Sequence, residues 1–228
     1  MKVDIVIPTS LNEITVGQYQ EFLNIYDNNE PSDFVTQKMV SIFCGIKLNY
    51  VAMMNFTDVK NIVDSLNKMF ENQPKHELRF EMGGVEFGFI PNIEKISFGE
   101  YTDLEANLSN WSTMHNAMAV MYRPITKDIK GKYEIEQYNG SNTYAEVMKF
   151  APMNVALGAM LFFWTLSNEL LQYTLDYLVE EVEKMNIAEN HNLVENGDGL
   201  TASINLLRET SFNLKELQTF PYMNALHG

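Results

Sequence analysis

Four histidines and one cysteine are the side chains best suited to metal or nucleophilic chemistry, and their spacing supports neither. His76, His115, His191 and His227 stand at no metal-ligand interval, and His76-Glu77 lacks the second histidine of an HExxH helix. Cys44 lies between Phe43 and Gly45, where a lone thiol among apolar neighbours reads as a small core residue. A single cysteine also excludes an internal disulfide. No GxSxG elbow, GxGxxG turn or phosphate loop is present, and Gly83, Gly84 and Gly88 belong to a hairpin pattern. Carboxylates are too numerous to single out a catalytic pair. The expectation is a protein that is not an enzyme and uses no cofactor or metal.

The charge balance narrows the partners. Sixteen Lys and Arg against thirty Asp and Glu give the 228-residue chain a net charge of -14. Phosphate backbones are neutralised by bases, so nucleic acid is an unfavourable ligand. The start, Met1-Lys2-Val3-Asp4-Ile5, lacks the basic and apolar segments of a signal peptide, which leads us to expect a reducing cytoplasm. Residues 150–168 are uncharged, close to the ~20 residues of a membrane span. Asn154, Thr165, Ser167 and Asn168 interrupt them and no basic cluster flanks them, so the expectation is a buried helix and no membrane partner.

The patterning predicts the elements that would hold any site. Val3, Ile5 and Ile7 alternate before Pro8 as in a short strand. Capping-box spacings at Thr15/Gln18, Ser97/Glu100 and Thr143/Glu146 predict three helix starts. Helices are also predicted from Ser32 or Asp33 to Phe43, with Phe34, Met39 and Ile42 inward, and from Thr57 to Phe70. Leu78, Phe80 and Met82, then Val85, Phe87 and Phe89, alternate around Gly83-Gly84. Glycines at both centres fit a primed hairpin turn, which pairs Met82 with Val85 and Phe80 with Phe87. A helix from Asn110 should stop near Tyr122, ahead of Pro124. Residues 126–132 then read as a basic loop, and Tyr133 to Glu136 as an edge strand.

One long helix, from Pro152 to about Met185, dominates the second half. Leu157, Leu161, Trp164, Asn168, Leu171, Leu175, Leu178, Val182 and Met185 follow steps of four and three. That stripe serves equally as a buried seam in one chain or as a partner seam. Its second half is acidic: from Glu169 to Asp198 there are eight acids and one base, Lys184. A basic partner, or the basic loop around Lys130, would relieve this charge; a plain solvated face is the alternative. The predicted fold is α+β, mainly α: a helical core with a long central helix and a small antiparallel β-hairpin or sheet. Residues 1–195 would form one domain carrying the hairpin 78–89, and residues 196–228 a C-terminal extension.

Two stretches carry a family resemblance. One is Met121-Tyr122-Arg123-Pro124-Ile125, followed by Tyr133-Glu134-Ile135-Glu136-x-Tyr138. The other is Ala151-Pro152-Met153-x-x-Ala156-Leu157-Gly158-Ala159, running into Phe162-Phe163-Trp164 and Glu169-Leu170. This ordering, over about residues 110–175, resembles tail assembly chaperones and related virion-assembly proteins of tailed bacteriophages. The resemblance implies a non-catalytic chaperone of virion morphogenesis that shields apolar helical segments of a partner such as the tape measure protein. It would work in the host cytoplasm, through a Met- and aromatic-rich groove with an acidic rim. The alternative is a structural virion component, a connector, ring or baseplate protein bound to tail proteins, and homo-oligomers are open in either case. The residues expected at a partner interface are Arg123, Pro124, Leu157, Leu161, Trp164, Asn168, Leu171, Phe220, Tyr222 and Leu226.

Overall fold

A computed structural model describes residues 5–188, with side-chain surroundings through Glu180. The described chain is α+β and mainly helical, with eight α-helices and one four-stranded antiparallel sheet. It falls into two compact units that divide between Ala159 and Met160. The expected boundary at residue 195 lies outside the described residues, as do the expected turn at 196–199 and the segment beyond it.

The first unit opens with helix α1, Val16–Asp27. Thr15 starts it with a complete capping box: its hydroxyl accepts from the Gln18 amide, and the Gln18 side chain accepts from the Thr15 amide. The helices α2 (Asp33–Phe43), α3 (Leu48–Val51) and α4 (Phe56–Phe70) follow. Tyr19, Phe22, Phe43 and Phe70 form one ring cluster, with centroids 5.3 Å apart for Phe22–Phe43 and for Phe43–Phe70. Burying each such ring contributes about 1.5–3 kcal/mol, so the cluster anchors these helices. Two expectations fail here. Phe34 points outward and Val35 takes the core position instead. No strand forms over residues 5–9, where Val6 is exposed, and Val3 lies outside the described residues.

The sheet begins with the predicted hairpin. Strands β1 (Arg79–Met82) and β2 (Val85–Phe89) pair in the expected register, Met82 with Val85 and Phe80 with Phe87. Gly83 and Gly84 both have positive φ, as that two-residue turn requires. Phe80, Phe87 and Phe89 are buried, whereas Leu78 and Val85 at the ends of the same face are exposed. The expected basic loop at 126–132 is a strand-turn-strand: it comprises the end of strand β3, Tyr122–Ile129, a turn at 130–131 and the start of β4, Lys132–Ile135, and β3 pairs with both β2 and β4. Backbone pairing with β2 holds Tyr122, Arg123 and Pro124 extended, so the chain leaves the preceding helix straight into the sheet. Strand order is β1-β2-β3-β4. Gly88 on β2 leaves room for Tyr133 of β4: an added β-carbon would sit 2.5 Å from its ring.

Helix α5, Phe98–Asn107, starts at the predicted Ser97/Glu100 capping box. Asn110 caps a short 3-10 turn that leads into α6, Met114–Met121. The Thr143/Glu146 box does not form. The Thr143 hydroxyl donates to the Asn139 carbonyl, Glu146 pairs with Lys149 at 2.7 Å, and α7 spans only Ala145–Met148. The long helix α8 is Met153–Ala188. Its first two turns are buried on every side, from Met153 to Ala159. The segment before β1 crosses them: Asn154 donates to Glu77 at 2.6 Å, and Lys75 lies against Gly158.

In the second unit the described chain is α8 from Met160 onward. Here the helix is no longer buried all round, and its faces differ.

Candidate protein-binding surface

From Met160 the helix α8 carries two apolar stripes. The predicted seam is the covered one: Leu161, Trp164, Asn168 and Leu171 are half-buried and Leu175 is buried. Leu166, Leu170, Tyr173 and Tyr177 also follow steps of four, three and four, and they are 41%, 66%, 74% and 62% exposed. At 3.6 residues per turn this second stripe lies on the side of the helix opposite the seam. Glu169, Asp176 and Glu180 run along one flank of it, all exposed. No Lys or Arg occurs from Met160 to Glu180, so this stretch of helix carries acids and no bases. Solvent-facing leucines and tyrosines at helical spacing make this stripe a candidate docking face.

The sequence pattern points to one stripe and leaves the other unmarked. The signal was present, because an α-helix apolar at two sets of heptad positions cannot hide both against one neighbour. Met114, Met118, Met121, Met148 and Met153 are fully buried core residues and line no exposed groove.

The other expected interface residues divide three ways. Leu157 is buried in the first unit's core. Arg123 is buried too, only 6% exposed, and one of its Nη atoms donates to Glu100 Oε1 at 2.5 Å. Its guanidinium also faces the Tyr138 ring at 5.5 Å. Glu100 is held in turn by the Ser97 amide and hydroxyl, each at 2.7 Å. Burial raises this carboxyl's pKa, but those two donors and Arg123 outweigh it, leaving the carboxyl below its usual range. Arg123 thus ties β3 to α5 and offers no surface to a partner, while neighbouring Pro124 is half-buried. Phe220, Tyr222 and Leu226 lie outside the described residues.

A second charged feature sits at the far end of the sheet. Lys130 and Gly131, both with positive φ, turn β3 into β4. Lys127, Lys130 and Lys132 are exposed around that turn. Arg79 lies 4.5 Å from the Tyr133 ring and pairs with Asp128 at 2.5 Å. Lys127, Ile129, Lys132, Tyr133 and Glu134 line an open depression of about 420 Å³.

Cys44 is buried, and burial pushes its thiol up to about 11, the state of an inert core cysteine. Among the described residues no group of three His, Cys, Asp or Glu could hold a metal ion. Among them also, no helix is long and apolar enough to cross a membrane. Compared with protein-family models, with curated proteins and with solved structures, the chain matches none of them.

Proposed function

We propose that the protein is a non-catalytic binding factor that holds an apolar helical segment of a partner against the exposed side of α8. The observation that carries this reading is the solvent-facing stripe Leu166, Leu170, Tyr173 and Tyr177 beside Glu169, Asp176 and Glu180. Such a face suits an amphipathic helix with leucine-like residues along one side and lysine or arginine at its edge. The resemblance of residues 110–175 to tail assembly chaperones supplies the setting, virion morphogenesis in a tailed bacteriophage. There the partner is a phage structural protein such as the tape measure protein.

The test is mass spectrometry of purified particles beside a pull-down from the infected-cell lysate. The expected result is absence from the particle and capture of the tape measure protein. Capture should be lost in the Leu170→Ser/Tyr173→Ser variant. Many copies in the particle would overturn the chaperone reading in favour of a connector, ring or baseplate component.

A further inference from the structure

The basic turn of the sheet and the acidic face of α8 are complementary, and their pairing rests on that face being a docking surface. Lys127, Lys130 and Lys132 are the one place in this acidic chain where three bases fall within six residues. Strand alternation puts Lys127 and Ile129 on one side of β3, and the register sets Glu134 and Lys132 opposite them. These four residues and Tyr133 line the 420 Å³ depression, with Ile129 55% exposed. Asp128 is already paired to Arg79. Lys127 is 3.5 Å from Glu134, an exposed contact worth little. Lys130 and Lys132 are in none of these ion pairs, and they give the turn its positive charge.

The helix face presents the opposite pattern at similar scale. Leu166 to Tyr177 spans about 17 Å of helix, and the four residues of β4 about 13 Å of strand. We propose that, in the absence of a client helix, this face is covered by the β3–β4 end of a second copy of the chain. Tyr173 and Tyr177 of one copy enter the depression beside Ile129 of the next. Glu169 and Asp176 then meet the lysines around the turn, which also lie near the tyrosine rings. The two patches are different parts of the chain, so one copy contributes the turn and the other the helix. A basic client helix competes for the same acids and releases the second copy.

The experiment is analytical ultracentrifugation of the full chain over a range of concentrations at low and high salt. Two charge-reversed variants are run beside it, Lys127→Glu/Lys130→Glu/Lys132→Glu and Glu169→Lys/Asp176→Lys. All five positions are exposed, so both variants should fold, which circular dichroism checks. The wild type should self-associate, less so at high salt, and each variant alone should do so about tenfold more weakly or worse. An equimolar mixture of the two variants restores opposite charges at the contact and should associate. A wild-type mass that is independent of concentration, or a mixture that stays monomeric, overturns the inference. A synthetic Leu- and Lys-rich amphipathic helix is titrated separately. Its binding, lost in Leu170→Ser/Tyr173→Ser, bears on the client reading whether or not the chain self-associates, so the two ideas fail independently.

Discussion

The carbonyl oxygen of Lys75 lies 2.6 Å from where a β-carbon on Gly158 would be, so the segment before β1 rests directly on the α8 backbone. The Lys75 carbonyl carbon and the His76 α-carbon are close behind, at 3.1 and 3.2 Å. These are backbone atoms, which cannot rotate away as a flexible side chain would. Gly158→Ala gains helix propensity of about 1 kcal/mol and loses more to the clash. The net loss should be about 1–3 kcal/mol in urea unfolding, and wild-type stability would show that the two segments are not in contact.

The buried Arg123–Glu100 pair makes a second prediction, about acid. The folded-state pKa of Glu100 is depressed, so its contribution to stability is complete above the unfolded value, about 4.3, and is lost as pH falls through the folded one. The thermal midpoint should hold through neutral and mildly acidic pH and decline below about pH 4.5. Glu100→Gln should decline less steeply over that interval, and equal slopes would remove the pair from the account. Arg123→Met leaves the carboxylate buried without its cation, at a cost of about 3–5 kcal/mol.

Tyr133 and Gly88 should behave as a coupled pair. The tyrosine hydroxyl donates to the Phe89 carbonyl at 2.8 Å, and Arg79 covers the ring, so the ring cannot move aside freely. Gly88→Ala should cost about 1–3 kcal/mol, only part of it absent when Tyr133→Ala is already in place, because Ile125 Cγ1 also lies 2.9 Å from the added β-carbon. A double-mutant cycle in urea measures this. Simple additivity would mean that the ring does not occupy the space above Gly88.

How much of the fold is legible in the sequence depends on how local the cause is. The capping boxes at Thr15 and Ser97 and the register around Gly83-Gly84 rest on residues three or four apart, and the structure has them as expected. Strand β3 is hidden because Pro124 and the closely spaced Lys127, Lys130 and Lys132 look like loop composition; only pairing with β2 and β4 makes residues 122–129 a strand. The Thr143/Glu146 spacing matches a capping box, yet both side chains find other partners, at Asn139 and Lys149. On α8 the seam is visible, but which of two apolar stripes faces solvent is decided by tertiary packing that spacing along one helix does not encode.

Cys44 offers a direct probe of the core. With the thiol pushed up to about 11 and enclosed, it reacts only when the surrounding helices open. A disulfide reagent near neutral pH should label it at least ~10³-fold more slowly in native protein than in urea. Rapid native labelling would place the residue at an accessible surface instead.

The two stripes of α8 call for opposite responses to substitution. Leu170 and Tyr173 face solvent, so Leu170→Ser/Tyr173→Ser removes almost no packing and should leave the unfolding free energy within about 0.5 kcal/mol of wild type. Partner capture should nevertheless fail, because the substitutions delete the apolar surface a docked helix would cover. Trp164 is half-buried on the seam, and Trp164→Asp places a charge where an indole packs. That variant should lose several kcal/mol of stability or change assembly state. Should Trp164→Asp prove as stable and as assembled as wild type while Leu170→Ser/Tyr173→Ser unfolds, the assignment of the two faces would have to be reversed.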